Sequence, residues 1–297
     1  MFKTLVARGA VILAFLIIGA GNAGAAVPPD ERPPIRIRVI HDRFVLVPVM
    51  VNETGPHSFL LDTGATSTML SPTLVKRLRL SNAGSAVQET ATHAGRVALV
   101  RASLAVGSVA RPEVEVIATP LDAVQALDHR IVGVLGQDVL RSSNWWLDYE
   151  GSVLVADTEG RYLARGLGER VAVHWQAERP AVDVLLPDRK SLRLVLDSAA
   201  SSPLLFREVA GTSASADGWA RLTTHFGESR ARQVMVGPLR VGALVVASFA
   251  AAMVGDMAAD RAEDGLLPTG LFEGIYFDNR AGAVIFNPRR SALSDAP

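Results

Sequence analysis

The sequence predicts an all-β chain of two similar lobes with short helices, related by internal duplication. Three observations predict it. From Ile35 onward the chain reads as short β-branched and apolar runs broken by turn residues, among them "FVLVPVMVN", "RVALVRASLAV", "VEVIAT" and "SVLVAD", which is the pattern of strands. A helical period stands out at one short stretch, "SPTLVKRLRL". Four segments of the first half also recur in the second half, in the same order.

Taken in chain order, the 297 residues suffice for two domains of ordinary size. Lys3 and Arg8 precede the apolar run "AVILAFLIIGA", and Ala23-Gly24-Ala25 follows it. This reads as a signal peptide over residues 1–25. The run is shorter than the roughly 20 residues of a membrane span; retention as an N-terminal anchor is the alternative. "VPPDERPPI" is proline-rich and polar, a linker over 26–34. The first lobe is expected over 35–158. Its helix begins with Ser71 as N-cap and Pro72 at the first helical position, where a missing N–H does no harm. "EGRYLARGLGE" supplies a connector over 159–169, the second lobe spans 170–290, and 291–297 form a tail.

The repeat is read segment by segment. "FLLDTGATSTML" and "LRLVLDSAASSPLLF" share an apolar run, an aspartate, a hydroxyl residue and two small residues, with Asp197 standing 135 residues after Asp62. At the same offset "SLAVGSV" falls on "PLRVGAL". At a slightly shorter one "GVLGQDVL" falls on "GLLPTGLF", and "LDYEGSVLV" on "FDNRAGAVIF". Recurrence in order and at nearly constant spacing is what duplication produces.

Composition narrows the function. Lysine and arginine together number 30, as do aspartate and glutamate, so nothing points to nucleic acid or a polyanion. There is no cysteine, which excludes a thiol nucleophile, an iron–sulfur site and lipid attachment at cysteine. The six histidines make no spaced metal-ligand pair, and no glycine-rich phosphate loop or G-x-S-x-G elbow occurs.

Two carboxylates remain. Phe59, Leu60 and Leu61 lead into Asp62, and a similar apolar run leads into Asp197. A carboxylate at the end of a buried strand needs donors or a shifted pKa. A single D-T-G is otherwise an ordinary turn; it is the repeat that supplies a second such loop. The order of an Asp-Thr/Ser-Gly loop, a later hairpin and an apolar-apolar-Gly segment resembles the aspartic peptidases, each half being similar to a retropepsin unit. The resemblance implies that each lobe is a retropepsin-like closed β-barrel, and that the chain is an aspartic endopeptidase that hydrolyses peptide bonds with water activated by Asp62 and Asp197, without metal or cofactor. It implies that Thr63 and Ser198 brace the two loops across a pseudo-twofold axis, with Gly64 and Ala199 beside them. The expected partner is a peptide or protein substrate, with no nucleic acid and no stable membrane association after signal removal. The expected protein is a monomer in a bacterial periplasm or medium.

The second copy departs from the pattern. Ala199 stands where the first has Gly64, Pro268 where it has Gly136, and Gly270 where it has Asp138. Two alternatives follow: an inactive peptide-binding relative, or an active homodimer pairing Asp62 of two chains. "ATHAGR" and "TTHFGES" fall where each half should carry its flap, with Gly95 and Gly227 suited to hairpin tips. His93 and His225 read as exposed turn residues, and Trp145 and Trp146 as packing beneath "GVLGQDVL".

Overall fold

Valine- and leucine-rich runs separated by turn residues pair into three sheets in the computed structural model. It describes residues 34–89, 94–162, 167–209, 213–224, 227–254 and 261–289, all within the unit Pro33–Pro297. The expected signal peptide, the linker to residue 33, His93, His225 and the tail lie outside the described residues.

The first sheet runs Arg38–Ile40, Phe44–Val51, Thr54–Leu61, Ile131–Leu135, Met69–Leu70, Val109–Ala118, Ala94–Val106 and Asn82–Glu89. Met50 also pairs with Ala105, so the sheet closes on itself. The inward side chains, Val45, Val47, Phe59, Leu61, Leu104 and Val116 among them, form one apolar core.

The second sheet repeats these pairings. Arg179–Leu185 and Ser191–Asp197 form an antiparallel hairpin, and the latter pairs in parallel with Gly265–Pro268, as Thr54–Leu61 does with Ile131–Leu135. Here the closing circuit is interrupted between Gly227–Val236 and Leu239–Val241. Pro238 stands at the step of Ser103, and a proline has no N–H to give the ladder. This lobe has its own core, including Val182, Leu194, Leu196, Val234 and Leu267.

A third sheet takes three strands from each half, in the order Ile35–Arg36, Val153–Asp157, Asn144–Asp148, Gly274–Asp278, Ala283–Phe286 and Val171–Ala172. Trp145 and Leu147 join the first core, Ile275 and Phe277 the second. Trp146 and Tyr276 turn to the opposite face and are fully buried with Val155, Leu167 and Ile285. Trp145 also donates its indole N–H to Leu140 O at 2.7 Å, beneath the "GVLGQDVL" segment as expected.

The expected helix is Pro72–Leu78, with Ser71 Oγ accepting from Leu74 N and Arg79 ending it in a left-handed conformation. Helices Asp122–Gln125 and Gln137–Leu140 are too short to show a periodic pattern in sequence. One expectation is corrected. Gly95 pairs with Gln88 and Gly227 with Thr224, so each is a strand residue of its hairpin and not the tip.

Candidate active site

Each aspartate ends a buried strand that is flanked on both sides. Leu60 and Leu61 pair with Val134 and Leu135, while Leu46 lies across from Leu60 in the hairpin. Asp62 N–H then donates to Leu135 O at 3.0 Å. In the other half Leu196 and Asp197 pair with Leu267 and Pro268. A strand held on two edges cannot swing, so the loop that follows it starts from a fixed point.

The two loops meet. Thr63 N–H donates to Ser198 Oγ at 3.0 Å, and Ser198 Oγ–H donates to Leu61 O at 2.7 Å. Reciprocally, Ser198 N–H donates to Thr63 Oγ1 at 3.0 Å, and Thr63 Oγ1–H donates to Leu196 O at 2.8 Å. Each hydroxyl therefore accepts once and donates once, which a buried hydroxyl requires. Thr63 is 4% exposed and Ser198 1%. These four bonds, each contributing about 1 kcal/mol, hold the loops in one relative position.

The carboxyl groups follow from that position. Gly64 N–H donates to Asp62 Oδ1 at 2.9 Å and Ala199 N–H to Asp197 Oδ1 at 2.8 Å. A Cβ on Gly64 would lie 2.7 Å from Asp197 Cγ, so the first loop's glycine is packed directly against the second loop's carboxyl. Burial holds Asp62 well above the usual carboxylate range, and the charge of Asp197 raises it further; the N–H groups of Gly64 and Ala65 and the Arg179 guanidinium oppose this. Burial raises Asp197 as well, opposed by the N–H groups of Ala199 and Ala200 and by Arg179. All six residues named from the sequence, Asp62, Thr63, Gly64, Asp197, Ser198 and Ala199, thus lie together.

Supporting residues were not evident in the sequence. Gln137 Nε2 donates to Thr63 O at 2.8 Å, and its Oε1 is the one buried side-chain polar atom without a partner among the described residues. Thr68 donates from N and Oγ1 to Asp138 at 2.7 and 2.6 Å, and Gly136 N–H donates to Thr68 Oγ1 at 3.1 Å. Between the two halves Tyr149 OH and Thr269 Oγ1 share a hydrogen bond of 2.5 Å. Burial pushes the Tyr149 phenol up, and the charge of Asp197 adds to it. Thr68, Gln137, Asp138 and Tyr149 all lie within segments the repeat had marked, but nothing in those segments gave their partners; Arg179 lies outside them.

A close pair of half-buried carboxyls with raised proton affinity can hold one proton between them and exchange it with a bound water. A comparison with curated proteins finds no match. Residues 47–139, the stretch that carries Asp62, match the family described as Aspartyl protease, so this part of the chain is similar to the aspartyl proteases.

Proposed function

We propose that the chain is an exported aspartic endopeptidase in which Asp62 and Asp197 of the same molecule share one proton. The ionised carboxylate takes a proton from a water, the water attacks the peptide carbonyl, and the protonated partner polarises that carbonyl and then serves the leaving amine. The observation that carries this reading is the reciprocal bonding of Thr63 and Ser198, with Gly64 against the Asp197 carboxyl. The two hairpins, Asn82–Glu89 with Ala94–Val106 and Ser213–Thr224 with Gly227–Val236, suit an extended peptide held by strand-like pairing. The shared topology of the two lobes supports an internal duplication. The charged start, apolar run and Ala23-Gly24-Ala25 support export. N-terminal sequencing of protein from the native host tests that part; a mature chain starting at Met1 overturns it.

Cleavage of a broad peptide library by Asp62→Asn and Asp197→Asn tests the chemistry. Both substitutions should abolish cleavage with the fold retained by circular dichroism, and the double variant should be little worse than either. Chelators should have no effect on the wild type. An active Asp197→Asn beside a dead Asp62→Asn would favour the pairing of Asp62 across two chains. Against that arrangement stands the occupation of the Thr63 face by Ser198 of the same chain. Ala199 and Pro268 favour one second reading, a peptide-binding module with a retired site. Peptides bound but never cleaved by the wild type would establish it.

A further inference from the structure

The two halves differ in what stands at the start of the strand that pairs with each aspartate's strand. In the second hairpin the register runs from Leu185 opposite Ser191 to Ala181 opposite Val195. The pairing ends there, two residues short of Arg179 and Asp197, which stand at the matching ends of the same two strands, and the charge of Arg179 reaches Asp197. In the first hairpin the pairing ends at Leu46 opposite Leu60, and Phe44 stands at the corresponding strand end. Phe44 is buried in an apolar cluster with Leu46, Leu60 and Met69. The residue at that strand end is thus hydrocarbon in the first hairpin and a guanidinium in the second.

Arg179 is held in place. Its side chain is 14% exposed, its Nε donates to Gln176 O at 3.2 Å, and its Nη2 donates to Glu263 Oε1 at 2.7 Å. Glu263 is 5% exposed and also accepts from Arg261 Nη1 at 3.1 Å. The neighbouring charged groups are otherwise engaged: Arg43 Nη1 donates to Ser201 O, Glu178 pairs with Arg141, and Asp264 pairs with Arg207 and accepts from Arg193 N. Tyr149 is neutral near Asp197. With one proton on the aspartate pair, the two arginines and two remaining negative charges balance. Buried charges persist where they are paired in this way.

We propose that Arg179, clamped by Glu263, is a positioning residue that breaks the symmetry of the pair, keeping the negative charge on Asp197 and the shared proton on Asp62. This rests on the dyad reading above. Asp197 then takes the proton from the water, and Asp62 presents its proton to the substrate carbonyl. The charge of Arg179 acts on both carboxyls in the direction of ionisation, and the repulsion between the two carboxylates is mutual, so the asymmetry comes from where Arg179 is held.

The test is a carboxyl carbon-13 titration of Asp62 and Asp197 in the folded chain, beside the pH dependence of kcat/KM for peptide cleavage. In the wild type Asp197 should ionise at the lower pH. Arg179→Gln should move the acid-side transition to higher pH and make the two carboxyls titrate more alike. Glu263→Gln, which leaves Arg179 unneutralised, should move it to lower pH, and Arg179→Lys should return it toward the wild type. If Arg179→Gln fails to fold, the signs of the last two variants decide. An acid-side transition that none of these moves overturns the proposal, as does Asp62 ionising first. A rise in KM with an unmoved pH profile overturns it too, and assigns Arg179 to substrate binding. If the wild type cleaves no peptide, the function proposed above fails, while the carbon-13 titration still decides this assignment.

Discussion

Gly64 and Ala199 occupy the same step of the two loops and make the same bond to their aspartate, yet they are not interchangeable. A methyl on Gly64 would stand 2.7 Å from Asp197 Cγ and from its Oδ2, which forces the carboxyl aside. Gly64→Ala should lower peptide cleavage by about a hundredfold, the scale of a misplacement near 1 Å, with the fold retained. Ala199→Gly should leave cleavage unchanged or raise it. Full activity in Gly64→Ala would mean that the loops do not meet as described. The raised proton affinity of the pair has a second consequence. The folded pair holds a proton that the unfolded chain releases at lower pH, so this stabilisation is present in acid and lost as pH rises through the folded titration. Asp62→Asn removes the coupled titration. Its Tm should exceed that of the wild type at pH 7, and the gap should close as pH falls toward the usual carboxylate range. A gap that stays constant with pH would contradict buried, interacting carboxyls.

At the scale of elements, the loops behind the two aspartates are braced by different chemistry. In the first lobe Thr68 gives two hydrogen bonds to Asp138 and receives one from Gly136. The matching steps in the second are Pro203, Gly270 and Pro268, so amide, hydroxyl and carboxylate are lost together, and among the described residues no side-chain polar atom there is buried without a partner. Asp138→Ala should therefore destabilise by about 2 kcal/mol, the scale of hydrogen bonds to a charged acceptor, read from urea unfolding. Gly270→Asp should destabilise too: Pro203 offers no donor, and a Cβ at Gly270 would meet Arg43 Cβ at 3.0 Å. This pairing also shows where the sequence ceases to be legible. Strands announced themselves as β-branched and apolar runs broken by turn residues, and helix Pro72–Leu78 by Ser71 and Pro72 at its start. The site loops announced themselves because the pattern around Asp62 recurs around Asp197. Thr68 and Asp138 lie 70 residues apart, and Arg179 comes near Asp197 only because the hairpin brings the ends of two strands together. Neither relation leaves a local pattern, because each depends on how strands align and not on neighbours in the chain. Pro238 was visible as a residue, but its interruption of the closing circuit required the sheet around it.

At the scale of the whole molecule, the third sheet makes each half incomplete alone. Asn144–Asp148 pairs with Val153–Asp157 of its own half and with Gly274–Asp278 of the other. Across that seam Trp146 pairs with Tyr276, and both are fully buried. Tyr276 OH donates to Asp157 Oδ2 at 2.6 Å and accepts from Asn144 Nδ2 at 3.2 Å, while Arg170 pairs with the buried Asp278. Unfolding either half would expose the indole and strand edge of the other and strip partners from buried polar groups. Two lobes with separate cores ordinarily unfold in separate steps. Here the seam predicts one step, with calorimetric and van't Hoff enthalpies equal. Trp146→Ala should cost about 4 kcal/mol, as truncation of a buried aromatic does, and lower the single transition by roughly 10 °C without splitting it. Two resolved transitions in the wild type would show instead that the lobe cores suffice and the seam couples them weakly. Activity supplies an independent reading of the same coupling. Thr63 and Ser198 satisfy each other from opposite lobes, so the site cannot outlast either one, and cleavage on heating should vanish at the midpoint of the unfolding transition and not below it.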